Sequence, residues 1–185
     1  NTAAKAGLVP NPDGPRKFSL KSWWYSLMIS QERNLREKMT LFWHNHLATE
    51  ADTVNIAVLL YNHNALIKKN ALGNFKDLMR EVTTDPCMLR YLNGEKSTKT
   101  APDENYGREC QELFVIGKGP DSGYTEADVK AAAKVLTGWQ VNYNGFTAPA
   151  VTVFTANRHD VTDKQFSAFY GNTIIKGVSG ANGGL

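Results

Sequence analysis

Apolar residues recur at helical spacing through most of this 185-residue chain, and this pattern constrains the fold more than any other feature. Between Ser19 and Leu136, successive segments place apolar side chains three or four residues apart and carry residues suited to begin or end a helix. Only the stretch 139–154 alternates as a strand does. The sequence therefore predicts a mainly α, multi-helix globular domain with a small β-hairpin after the last long helix.

The predicted hairpin has a recognisable turn. Trp139 to Tyr143 alternates, Asn144-Gly145 is typical of a type I′ turn, and Phe146 to Phe154 forms the returning strand. Pro149 favours an edge position for that strand.

The domain organisation follows from composition. Residues 1–17 are rich in proline and glycine and predict an extended arm or linker. Residues 18–176 are enough for a single helical domain, and 177–185 read as a flexible end. The chain lacks an initiator methionine, so we expect it to be a piece of a longer protein.

Several residues predict where helices begin. A break is expected near Ser30, and one helix is expected to start at Asp52 or Thr53 and run to about Asn70. The later starts are predicted at Asn74, at Asp85-Pro86, and at Thr125 with Asp128, which has capping-box spacing.

Charge and cysteine content exclude several classes of function. The net charge is +3, from 21 basic and 18 acidic residues without a basic run, so we expect no nucleic-acid partner. No apolar run is long enough for a transmembrane segment. Cys87 and Cys110 are not a short-spaced metal or redox pair and are typical of small buried hydrophobes, although a long-range disulfide stays open.

The stretch 101–117 concentrates polar chemistry in an apolar pattern. One stripe of its helix is apolar, and another carries Asn105, Arg108, Glu109 and Glu112. The apolar stripe consists of Tyr106, Cys110, Leu113 and Phe114. The polar stripe is either a solvated face or a buried network, and we predict that Arg108 is largely buried and paired to Glu104, Glu109 or Glu112.

Two histidine motifs are candidate metal ligands. His44 and His46 would point about 200° apart on a continuous helix, but in a non-helical segment they would face the same way and could share a divalent metal. His159-Asp160 follows the hairpin and could be a ligand or an acid–base pair. In both motifs a purely structural histidine is the alternative. His63, alone on a helix, is expected to be an ordinary surface or interface residue.

Seven segments in order resemble a bacterial family called domain of unknown function 1800, over about residues 35–160. They are Phe42 to His46, Ala71 to Phe75, Asp85 to Leu92, Glu104 to Glu109, Glu112 to Phe114, Tyr124 to Val129, and Leu136 to Trp139. Asp103 stands where the family usually has Asn, and Gly107 stands where it usually has Ala. Gly107 adds about 1 kcal/mol of helix cost and suggests that tertiary contacts hold this helix.

The resemblance implies a largely helical bacterial protein that is exported to the periplasm, cell surface or medium. It also implies a co-encoded exported partner similar to sulfatases or phosphatases, and no established activity. The family's recognisable polar positions fall on residues of the central helix and the histidine motifs: His44, Asn45, His46, Glu104, Asn105, Arg108, Glu109, Glu112, His159 and Asp160.

Two functions are compatible with these residues. One is a metal-dependent or acid–base hydrolase of cell-envelope or extracellular material. Its catalytic candidates are His44, His46, Arg108, Glu109 and Glu112, its substrate-binding candidates are Asn45, Glu104 and Asn105, and its metal candidates are His44, His46, His159 and Asp160. The other is a non-catalytic cell-surface or assembly protein whose polar cluster is structural. The hydrolase requires the His44–His46 segment to lie against the 105–112 face, and we predict this contact.

Overall fold

The computed structural model describes residues 13–143 and 150–178, which divide between Cys87 and Met88 into two compact units. Each unit is described on its own below. The expectation of a single domain over 18–176 stays a prediction.

The first unit is helical. Its helices are α1 (Asp13–Ser30), α2 (Arg36–His46), α3 (Ala51–Val54), α4 (Ala57–Asn70) and α5 (Phe75–Thr83), and α6 (Pro86–Tyr91) contains the division between the units. Helix α4 contacts α1, α2, α3 and α5 and contributes the fully buried Leu59 and Ile67. It is therefore the central helix of this unit. Asn74 caps α5 as predicted, since its side chain accepts a hydrogen bond from the Lys76 amide.

Two predicted boundaries in this unit were wrong. Helix α1 begins at Asp13, inside the predicted arm, because Pro15 falls in the first turn, where a missing N–H breaks no helical hydrogen bond. The single helix expected from Asp52 or Thr53 to Asn70 is divided into α3 and α4. Asn55 adopts a left-handed conformation (φ 53°) and interrupts it.

The second unit combines short helices and strands. A 3-10 turn (Gly94–Lys96) precedes α7 (Asn105–Glu109), which continues as a π-helix (Cys110–Val115), and α8 (Glu126–Val135) follows. Thr125 and Asp128 form the predicted capping box of α8. Further 3-10 turns span Ala156–Arg158 and Ala168–Tyr170.

The π-helix explains where the predicted apolar stripe fails. Its wider turn shifts the side chains after Cys110 around the helix axis, so the 3.6-residue spacing no longer holds. Tyr106 and Phe114 are buried as expected, but Leu113 is 60% exposed and Gln111 is buried instead.

Gly107 lies where α7 packs closely against α8. A Cβ at this position would lie 3.3 Å from the Ala132 Cβ and from the Val129 carbonyl oxygen. An alanine there would thus require the neighbouring atoms to shift by a few tenths of an ångström.

The predicted hairpin is confirmed. Strands β1 (Trp139–Asn142) and β2 (Val151–Phe154) pair antiparallel, with Trp139 opposite Phe154 and Asn142 opposite Val151. The predicted turn at Asn144-Gly145 and the edge proline Pro149 lie outside the described residues. A second two-stranded sheet joins β3 (Lys164–Gln165) to β4 (Ile174–Ile175).

A helix that spans a membrane needs about 20 predominantly apolar residues. No helix within residues 13–143 and 150–178 is both long and apolar enough to cross a membrane.

Two glycines with the same backbone conformation allow strain to be separated from crowding. Gly117 and Gly138 both have φ 96°, but a Cβ at Gly117 would meet no atom within 4 Å. At Gly138 it would lie 3.1 Å from the Phe154 ring and from the Thr155 carbonyl oxygen.

Gly117→Ala should lower the free energy of unfolding by about 1–3 kcal/mol through backbone strain alone. Gly138→Ala should lower it by about 1–3 kcal/mol more. Urea unfolding measures both, and equal losses would contradict the crowding.

Candidate functional site

A cavity of about 570 Å³ lies in the first unit among α1, α2, α4 and the segment before α3. Its walls are mostly apolar, with Leu20, Trp24, Met28, Leu41 and Leu60 among the lining residues. Polar and charged side chains also line it: Lys17, Lys21, His44, Thr49, Glu50 and Asn64. An apolar cavity with a few converging polar groups is the usual form of a small-molecule site.

His44 enters the cavity from the last turn of α2. Its ring centroid lies 4.9 Å from that of Trp24 and 6.1 Å from that of His63. Burial and, to a smaller extent, repulsion from His63 together lower the pKa of His44 to about 4. The ring is therefore neutral near pH 7 and has a lone pair that can accept a proton.

Asn64 contributes an unsatisfied amide to the same cavity. The residue is 4% exposed, and neither its Nδ2 nor its Oδ1 has a hydrogen-bond partner among the described residues. Leaving a buried polar group unpaired costs about 1–3 kcal/mol. This cost would be removed by a ligand that hydrogen-bonds the amide.

His63 precedes Asn64 on α4, and each of its two ring nitrogens has a polar partner. Its Nδ1 lies 2.9 Å from the Asp85 carboxylate, and its Nε2 lies 3.3 Å from the Leu47 carbonyl oxygen. All three groups are buried. The ring thereby connects α4 to the residue after α2 and to the residue before α6.

Cys87 completes a buried cluster with His63 and Asp85. One ligand atom from each of the three residues lies within 4.8 Å of the others. The Cys87 thiol donates a hydrogen bond to the Thr49 hydroxyl (3.7 Å), and burial raises its pKa to about 12. Thr49 itself lines the cavity.

The sequence reasoning missed this cluster. It treated His63 as an ordinary surface or interface residue, because Asp85 and Leu47 lie 22 and 16 residues away along the chain. The available signal was that His63 follows Leu59 and precedes Ile67 by four residues each, on the apolar face of its helix.

The predicted pair His44 and His46 lies on the continuous helix α2. The non-helical backbone that a shared metal would need is therefore not present. His46 packs on Phe42, Trp43 and Phe75, whereas His44 faces the cavity. A metal role for this pair stays a prediction, as does its contact with the 105–112 face, which belongs to the other unit. Asn45 is exposed.

Arg108 lies at the centre of an ion-pair network in the second unit. Its guanidinium bonds Glu104 (3.0 Å), Glu112 (3.5 Å) and both carboxylate oxygens of Glu126 (2.7 and 2.8 Å). The carboxylate of Glu126 makes the largest contribution in raising the pKa of Arg108 above its ordinary value.

The prediction for Arg108 was right in pairing but wrong in burial. Its side chain is 33% exposed, because its partners are themselves partly exposed: Glu104 just before α7, Glu112 in the π-helix, and Glu126 at the start of α8. Glu126 was missed as a partner, and Glu109 is not one of the four contacts. Asn105 is exposed, and its backbone N–H donates a hydrogen bond to the Asp103 carboxylate. Asp103 stands one residue before the N-cap, Glu104, whose own side chain makes no capping hydrogen bond.

His159 and Asp160 are buried in the second unit and bonded to Thr137. The His159 Nδ1 lies 2.8 Å from the Thr137 carbonyl oxygen, and the Asp160 amide donates to the Thr137 hydroxyl (2.8 Å). Burial raises the pKa of Asp160, but hydrogen bonds from Thr162 and the charge of Lys164 outweigh it, so the pKa is lowered. These contacts are those of a structural pair, and a metal role for it stays a prediction.

Comparison with known proteins adds one result. No curated protein and no solved structure matches the chain. A family model described as "Protein of unknown function (DUF1800)" matches residues 8–184, nearly the whole chain. The chain therefore belongs to the DUF1800 family.

Proposed function

We propose that the chain is an acyl hydrolase whose site is the cavity of the first unit. The observation that carries the proposal is the Asn64 side-chain amide, which has no hydrogen-bond partner among the described residues and belongs to a residue of the cavity wall that also holds His44. A folding domain gains nothing from a buried amide without partners, whereas a substrate carbonyl would satisfy it. The apolar walls suit an acyl chain.

The proposed reaction uses these two side chains. The Asn64 Nδ2 donates a hydrogen bond to the carbonyl oxygen, where negative charge develops as water attacks. His44 takes a proton from that water, whose oxygen bonds the acyl carbon. The carbon–oxygen or carbon–nitrogen bond then breaks, and the proton passes to the leaving group. His44 is neutral again at the end.

Further parts of the proposal rest on the family resemblance. These are export of the protein, cell-envelope or extracellular material as the source of the substrate, and a co-encoded exported protein as the partner. Fractionation of the native cells into cytoplasmic, periplasmic and secreted material tests the location independently of the activity.

A second candidate function is a non-catalytic surface or assembly protein. The observation in its favour is that Arg108 is paired with three carboxylates and so serves the structure of the second unit. Wild-type protein that hydrolyses no ester or amide probe would support this candidate.

Exchange of the two histidines of α2 tests the catalytic assignment. His44→Gln should lower kcat/KM on p-nitrophenyl acetate or octanoate by roughly 100-fold, because it removes the proton acceptor. His46→Gln, two residues away on the same helix, should retain most activity, since His46 packs on Phe42, Trp43 and Phe75. Equal losses in both variants would favour the histidine pair predicted from the sequence.

Replacement of Asn64 should separate stability from activity. Asn64→Leu removes an unpaired buried amide and should raise the free energy of unfolding by about 1–3 kcal/mol. The same variant should lower kcat/KM by roughly 100-fold, because the donor to the carbonyl oxygen is lost.

Asn70 provides the matched control on the same helix. Its amide donates to the Leu66 carbonyl oxygen and to the Glu81 carboxylate (both 3.1 Å). Asn70→Leu should therefore lower the free energy of unfolding by about 1 kcal/mol and leave activity unchanged. A destabilised Asn64→Leu protein in urea unfolding would show that the amide has a structural partner.

A further inference from the structure

We propose that His63, Asp85 and Cys87 bind one divalent transition-metal ion of the zinc class. The three side chains are fully or almost fully buried, and their ligand atoms lie within 4.8 Å of one another. This inference does not depend on the proposed hydrolase activity, because metal binding is measured without a substrate.

The donor set matches zinc chemistry. Zinc is bound in proteins by thiolate sulfur, imidazole nitrogen and carboxylate oxygen, with bonds of about 2.0–2.3 Å in a tetrahedron. These bonds place neighbouring ligand atoms about 3–4 Å apart. Small side-chain rotations would close the difference from the observed spacing, and one further ligand would complete the tetrahedron.

The second nitrogen of His63 provides an independent indication. Histidine ligands usually donate their other N–H to a backbone carbonyl or a carboxylate, which fixes the tautomer. Here the Nε2 of His63 lies 3.3 Å from the Leu47 carbonyl oxygen. In the tautomer with the proton on Nε2, the Nδ1 lone pair is directed at the Asp85 carboxylate 2.9 Å away, and a cation between the two would offset their repulsion. Either a proton or a metal ion can do this.

The charges of the metal ion and its three ligands also balance. When the metal binds, the Cys87 thiol loses its proton, and the proton between His63 and Asp85 leaves as well, both to solvent. A dication with one thiolate, one carboxylate and a neutral imidazole has no net charge. Burial of a neutral group avoids the cost of an uncompensated charge in the interior.

Cobalt(II) is the probe, because its thiolate complexes absorb visible and near-ultraviolet light, whereas zinc has no absorption band in that range. Protein dialysed against chelator and then titrated with Co²⁺ should bind one equivalent and show a thiolate-to-cobalt charge-transfer band. Added Zn²⁺ should displace the cobalt and raise the thermal unfolding temperature, since a ligand of the folded state stabilises it.

The two cysteines form a matched pair for this test. Cys87→Ser should abolish the band, and Cys110→Ser, in the other unit, should retain it. Asp85→Asn keeps the thiol and should weaken cobalt binding at least ten-fold. Circular dichroism of each variant without metal checks that it is folded, so that a lost band is assigned to a lost ligand. Wild-type protein that binds no cobalt, or a Cys87→Ser protein with an unchanged band, would overturn the proposal.

Discussion

The first unit depends on the pairing of one buried imidazole. His63 joins the carbonyl of Leu47, at the end of α2, to the carboxylate of Asp85, before α6. Each of these groups would cost about 1–3 kcal/mol, or more for the carboxylate, if it were buried without a partner. The three segments are therefore held in one register. This register also positions the cavity, because His44 lies one turn before Leu47 and Asn64 follows His63.

The parts of the fold that were predictable are those determined by neighbouring residues. The Thr125–Asp128 capping box and the Asn74 cap need partners only two or three residues away. The alternation of β1 is local too. The errors arose where tertiary contact outweighs local preference. The left-handed Asn55 and the π-helix after Cys110 occur where the chain must redirect side chains towards neighbouring elements, and the helical spacing alone contains no sign of either.

The same distinction applies to the candidate site. The pairs of Arg108 with Glu104 and Glu112 were predictable, because a spacing of four residues places them side by side on a helix. Its bidentate partner Glu126 was not, since it lies 18 residues away on another helix. For His63 the spacing from Leu59 and Ile67 indicated the apolar face of its helix, but the partner Asp85, 22 residues away, could not be identified from spacing. The unpaired amide of Asn64 is likewise a property of the packed structure.

Two adjacent residues of α4 show how stability and function can be separated. His63 uses both ring nitrogens for contacts within the unit, and the side-chain amide of its neighbour Asn64 has no hydrogen-bond partner among the described residues. Both side chains are buried, so both bear the cost of leaving water, but within the described part of the chain His63 recovers that cost and Asn64 does not. A leucine at position 64 would pack in this apolar wall without that cost. Sites that bind ligands commonly retain such locally unfavourable groups, because the ligand supplies the missing partner. The contrast therefore distinguishes the cavity from the ion-pair network around Arg108: a side-chain amide in the cavity wall has no hydrogen-bond partner among the described residues, whereas the Arg108 guanidinium is paired with three carboxylates.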